Sequence, residues 1–176
     1  MEASIGALSL VISWLFALLA WRQYRTRRGL HQAVWAVGLG LFALGVTLEV
    51  VARWQGAWSD PAYRLWYFAG AMQGVSFLGQ GTLHLINRQP WTRTALDALT
   101  IAAVVSLVVV LNAPLDLARL PHPAEPTGVA FLAVGEAGFA SPRAWTIPFN
   151  IYGTLWLVGG ALYSTAGLWR RQRVRA

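Results

Sequence analysis

The sequence predicts an all-α integral membrane protein: a bundle of five transmembrane helices, N-terminus outside and C-terminus cytoplasmic. Three observations predict it. Of 176 residues, 56% are hydrophobic and only 12% charged, about half the charge of an average soluble domain. The apolar residues fall into runs that approach or reach the roughly 17–25 residues needed to cross a bilayer. All 14 basic residues are Arg, and most flank those runs, where Arg holds a loop on the cytoplasmic side.

The chain reads as a single transmembrane domain over 1–176. The first span covers about 4–21. Glu2 precedes its apolar core and Arg22, Arg25, Arg27 and Arg28 follow it. That order is the reverse of a cleaved signal peptide, so the run reads as a signal anchor with its N-terminus outside. The second span, about 32–53, runs outward to a turn-rich connection in which Asp60-Pro61 signals a helix start. The third, about 65–86, returns to the loop NRQPWTR. The fourth, about 95–113, is rich in Val, Leu and Ala and ends before Pro114; Asp97 near its start suits the positive end of the helix dipole.

The segment 114–145 is the one long connection, on the outer side. Pro114, Pro121, Pro123 and Pro126 deny its first half a continuous helix. Its apolar second half, VAFLAVGEAGFA, is too short to cross; an interfacial helix, a re-entrant segment or a β-hairpin each fit. The fifth span covers about 146–169, with Pro148 expected in its first turn. The basic tail RRQRVRA follows inside.

The charge census agrees with this topology. Ten arginines fall in regions assigned inside, against Arg53, Arg64, Arg119 and Arg143 outside. Trp21, Trp54, Trp58, Trp66, Trp91, Trp145 and Trp169 lie at span ends, the headgroup level that indole rings favour. The same distribution argues against a nucleic-acid partner despite the net charge of +7. The lipid bilayer is the expected partner, with anionic headgroups at the Arg clusters 22–28 and 170–175, and a homo-oligomer or larger membrane complex is open. Cysteine is absent, which removes disulfides and thiolate chemistry.

Placing residues at 100° steps gives each span its faces. On the third, Gly70, Gln73, Gly74, Phe77, Gln80, Gly81 and His84 share an arc of about 120°. Met72, Val75, Leu78, Leu83 and Ile86 lie opposite and are assigned to lipid. On the second, Trp35, Gly38, Phe42, Gly45, Glu49 and Arg53 form one stripe. The fifth carries Gly153, Gly160 and Gly167 at heptad spacing. Small residues let backbones approach closely in a membrane, so spans two, three and five are expected to pack together, with one and four peripheral.

Seven residues are candidates for an intramembrane or interface role: Glu49, Arg53, Arg64, Gln73, Gln80, His84 and Asn150. An ionisable group within a span is a functional candidate by default. Glu49 has a structural reading as well, an ion-pair cluster with Arg53 one turn away and Arg64 on the next helix. Gln73, Gln80 and His84 either line a polar pocket or bond across helices, a role worth about 0.6 kcal/mol on average. His31 and His84, on adjacent helices near the inner face, make a bis-histidine haem conceivable. No catalytic, metal-ligating or cofactor-binding residue is assigned, and no cofactor is expected.

Two stretches, RLWYFAGA…LGQGTLHL and PFNIYGTLWLVGGALYS, resemble patterns in an uncharacterised family of multi-pass membrane proteins of high-GC bacteria. They make Arg64, Tyr67, Gly70, Gly79, Gly81 and Thr82 motif positions, with Pro148, Asn150, Tyr152, Gly153 and Thr154 in the second. The resemblance implies a bacterial inner-membrane location and lends no activity. It also implies relatives that continue into further helices, of which this chain would be a shortened version. The expectation for function is a non-enzymatic helix-bundle subunit or sensor-like module. The alternative is a small transporter or ion-coupled permease component with a polar site on span three; an intramembrane haem protein or enzyme is third.

Overall fold

The computed structural model describes residues 2–173, with side chains over 6–167. The predicted Arg cluster at 170–175 and Trp169 lie outside the described side chains. Helices are α1 (Glu2–Arg27), α2 (Leu30–Gln55), α3 (Asp60–Trp66), α4 (Gly74–Ile86), α5 (Trp91–Asn112), the single turn α6 (Val134–Ala137) and α7 (Pro142–Arg173). A π-helical segment, Tyr67–Gln73, joins α3 to α4, and the backbone stays right-handed helical through both junctions. Asp60 to Ile86 is therefore one rod. Three helices are long and apolar enough to cross a membrane: Gly6–Arg27, Leu30–Gln55 and Trp91–Asn112. All five predicted spans lie on helical stretches, which extend beyond most of the predicted ends by several residues.

The turns follow from local chemistry. Between α1 and α2, Arg28 takes the left-handed conformation (φ 55°) and its N–H donates to Tyr24 O at 2.8 Å. Gly56 ends α2 in the same region (φ 74°), with its N–H on Arg53 O, the role a side chain with Cβ fills poorly.

The rod is the centre of the bundle, held between α2 and α7 by glycines that meet backbone. A Cβ on Gly45 would lie 2.8 Å from Gly70 Cα, and one on Gly38 would lie 2.9 Å from Leu78 N. On the other side, a Cβ on Gly79 would sit 2.6 Å from Gly153 O, and one on Gly153 would overlap Val75 O. Only glycine permits approaches this close. The helices predicted as spans two, three and five do pack together. α1 lies along α2, where Trp14 Nε1 donates to Thr47 Oγ1 at 3.0 Å, and it leaves Leu8, Val11, Leu15, Phe16 and Leu18 exposed.

One expectation fails here. The predicted lipid arc of the rod is broken: Met72 and Leu83 are fully buried, while Val75, Leu78 and Ile86 are half-buried. The predicted polar arc is also split. Gly70 and Gly74 face α2, Gln73 reaches α5, and Gln80 reaches both α5 and α7. The reason is geometric. A π segment closes i→i+5 rings instead of i→i+4, so 100° steps counted across it lose their phase.

The connection 114–145 is folded down onto the rod. Leu115 and Phe131 form an isolated antiparallel bridge, and Asp116 N–H donates to Ala130 O at 3.0 Å. Phe131 enters a cluster with Trp58, Tyr63, Trp66 and Tyr67, at 5.5 Å from Tyr63 and 4.9 Å from Tyr67 by ring centroids. The Tyr63 hydroxyl donates to Thr127 O. Ala130 and Phe131 thus plug the aromatic cluster, while Val129, Leu132, Val134 and Phe139 stay exposed; beyond the single turn α6 and the short 3₁₀ turn Gly138–Ala140 this half forms no helix. α7 starts at Pro142, so Pro148 occupies its second turn, not its first.

The glycine contacts give the first prediction. Gly153→Ala forces α7 off α4 and lowers stability by about 1–3 kcal/mol, as overpacking does. Gly159→Ala, with nothing within 4 Å of the added carbon, stays neutral or gains up to about 1 kcal/mol from helix propensity. Unfolding of the detergent-solubilised variants measures both.

Candidate functional site

The seven sequence candidates fall into three places: an ion-pair region at the end of the bundle that carries the 114–145 connection (the outer end of the predicted topology), a buried polar layer around the π segment, and a cleft at the opposite end (its inner end).

At the outer end, Glu49 pairs with Arg53 one turn along α2, with side chains 26% and 34% exposed. Arg53 also holds the proline-rich loop, donating from Nε to Pro123 O at 3.3 Å and from Nη2 to Ala124 O at 3.4 Å. Glu49, Arg53, Ser9 and Ser13 line a cavity of about 410 Å³ between α1 and α2. A neighbouring cavity of about 210 Å³ shares Arg53 and adds His122.

Arg64 does not join them, contrary to expectation. It pairs with Asp60 on its own helix and donates from Nη1 to Val110 O at 2.6 Å and Ala113 O at 2.8 Å. Those carbonyls close α5, where the last turn has no helical donors and the dipole favours a cation. Arg64 is the cap of α5, with its guanidinium 6.0 Å from the Phe131 ring.

The polar layer binds the helices to each other. Gln73, fully buried, donates from Nε2 to Ser106 Oγ on α5 at 3.0 Å. Ser76 Oγ reaches Met72 O and, on α7, Phe149 O, both at 3.1 Å. Asn150 Nδ2 donates to Ala71 O inside the π segment at 3.1 Å, supplying a donor where the wider turn disturbs the regular ladder. One buried acceptor in this layer, Gln73 Oε1, is left without a partner.

Toward the inner end, Gln80 is the hub. Its Nε2 donates to Thr92 O at 2.9 Å, in the first turn of α5, and its Oε1 accepts the Tyr152 hydroxyl of α7. These two partners settle which end of the amide is which. The same Nε2 lies 3.1 Å from His84 Nε2. Since an amide nitrogen only donates, His84 Nε2 accepts, and the ring proton sits on Nδ1.

His84 opens onto a cleft of about 390 Å³ that also holds His31, Arg88 and Arg93. His31 stands edge-on to Trp35, ring centroids 5.4 Å apart, and Trp35 Nε1 donates to Leu78 O at 3.1 Å. The structure thus brings the two histidines together, as the haem reading requires. Nε2 of His84 is nevertheless occupied by Gln80, and the ring presents a donor instead of a metal lone pair. Among the described residues, no group of three His, Asp or Glu could hold a metal ion. Sequence reasoning missed the two arginines as site residues because it counted them only as topology signals.

A scan against protein-family models, a search of curated proteins and a search of solved structures return no match to this chain.

The two outer arginines separate by experiment. Arg64→Gln removes a nearly buried guanidinium, its side chain 13% exposed, and uncaps α5, at a cost of about 1–3 kcal/mol. Arg53→Gln removes a partly solvated pair and costs about 1 kcal/mol or less. Thermal unfolding in one detergent, variant against parent, gives the ranking.

Proposed function

We propose that this chain is a non-enzymatic, five-span membrane protein of a bacterial inner membrane, N-terminus outside and C-terminus cytoplasmic, acting as a helix-bundle subunit or sensor-like module. The rod and α7 are taken as spans three and five alongside the three apolar helices. The excess of arginine at the assigned inner ends supports the orientation. The outward apolar face of α1 suits lipid or a partner helix.

The observation that carries the reading is the fate of the polar side chains on the rod. Gln73, Ser76 and Gln80 are fully buried and bond to neighbouring helices. They line neither the Glu49 cavity nor the His84 cleft. Side chains used this way join helices.

A small transporter is the second reading, and one observation favours it. The central rod carries a π segment, a feature common at functional sites, beside the orphan Gln73 Oε1. Transporters place sites at such interruptions.

Two measurements test the proposal. Because the chain has no cysteine, single cysteines report topology without background. Ser59→Cys should react with an impermeant maleimide in intact cells, and Gln89→Cys only after permeabilisation; the opposite pattern overturns the orientation. Proteoliposomes should conduct protons and monovalent ions no faster than protein-free vesicles. A flux abolished by Gln73→Leu would replace the module reading with transport.

A further inference from the structure

The inner cleft is built for a particular ligand chemistry. Its ionisable lining is wholly basic or imidazole: His31, His84, Arg88 and Arg93, with no carboxylate among the lining residues. The two arginines are exposed, and neither is in an ion pair among the described residues. Leu30, the first residue of α2, and Thr92, in the first turn of α5, line the same space. Neither helix has a side-chain cap at its N-terminus, so the positive ends of two long dipoles add to the cationic side chains.

The third element is the fixed tautomer. Tyr152 and Thr92 orient the Gln80 amide, and Gln80 holds His84 Nε2 as an acceptor. His84 therefore keeps Nδ1–H as a donor even when neutral, and its direction is set by buried contacts from α5 and α7. A cluster of topology arginines needs no such support. Two guanidiniums and an imidazole with a fixed N–H line one cleft beside the positive ends of two helices, a set suited to phosphoryl oxygens, which arginine binds in bidentate fashion.

We infer that the His31–His84–Arg88–Arg93 cleft is a binding site for a phosphoryl group, either the headgroup of an anionic phospholipid or a soluble phosphate compound. The site lies at one end of the bundle whichever way the chain is oriented, and it stands apart from the proposed function. A bound phosphate would bridge the α2 N-terminus, the end of α4 and the start of α5. His84 would couple its occupancy to the Gln80–Tyr152 contact in the bundle interior.

The test uses the full chain in phosphatidylcholine nanodiscs. It is titrated with a short-chain fluorescent phosphatidic acid, and separately with inorganic phosphate, in roughly 0.5 M salt. The Debye length there is only about 4 Å, so diffuse attraction is screened and direct contacts persist. The expected result is saturable binding of at least one probe, weakened about hundredfold by Arg88→Gln with Arg93→Gln and about tenfold by His84→Leu, the range for charge-assisted hydrogen bonds. Arg25→Gln with Arg27→Gln, the same charge change at the same end of the bundle, should alter it by less than about threefold. Binding of the lipid without competition from phosphate identifies a headgroup site; saturable phosphate binding identifies a soluble ligand. The inference is overturned if neither probe saturates, or if the two arginine pairs weaken binding equally. Labelling of Ser59→Cys and Gln89→Cys remains interpretable in either event.

Discussion

The structure depends on the approach of the central rod to α2 and α7 at backbone distance. Gly38 and Gly45 on one side, and Gly79 and Gly153 on the other, leave no room for a single added carbon. In a bilayer the hydrophobic effect does not press helices together, so dispersion between close backbones and interhelical hydrogen bonds must do so. Both are present here, and the first makes the second possible. Only because α4 and α7 touch can Ser76 reach the Phe149 carbonyl and Tyr152 reach Gln80.

Those hydrogen bonds divide the rod by depth. Arg64 closes α5 at the outer end, Gln73 and Ser106 join rod and α5 in the middle, and Gln80 ties three helices near the inner end. The π segment, which ends at Gln73, shifts the rod's phase so that Gly70 and Gly74 meet α2 while Gln73 turns to α5 and Gly79 meets α7. Asn150 from α7 supports the segment at Ala71. The layers also link the two ends chemically: the loop plug rests on Tyr63 and Tyr67, and the inner cleft rests on His84, with one continuous rod between them.

Much of the fold was legible in the sequence, because apolar runs of bilayer length and their flanking arginines are strong, local signals. The close packing of α2, the rod and α7 was legible from glycine spacing. The faces of the rod were not: the π segment has no sequence signature in YFAGAMQ, and face counting assumes an unbroken 3.6 repeat. Arg64 illustrates a signal present but unread. Asp60 stands four residues before it, the commonest helical ion-pair spacing, yet Glu49 on the neighbouring helix was preferred as its partner. Phe131 could not be placed, since burial of a loop aromatic depends on tertiary contacts that no local pattern encodes. Gln80, His84 and Asn150 were recognised as candidates, but their partners Thr92 and Ala71 act through backbone carbonyls, which residue types do not reveal.

The central claim is that the polar side chains of the rod bind helices to one another. A double-mutant cycle on Gln73 and Ser106 tests it most directly, because their 3.0 Å side-chain bond joins α5 to the π segment. Gln73→Leu, Ser106→Ala and the double variant are unfolded in the same detergent. The account predicts a coupling of about 0.6–1.7 kcal/mol, the range found for interhelical bonds in membranes. Strictly additive effects, with each single substitution neutral, would contradict it.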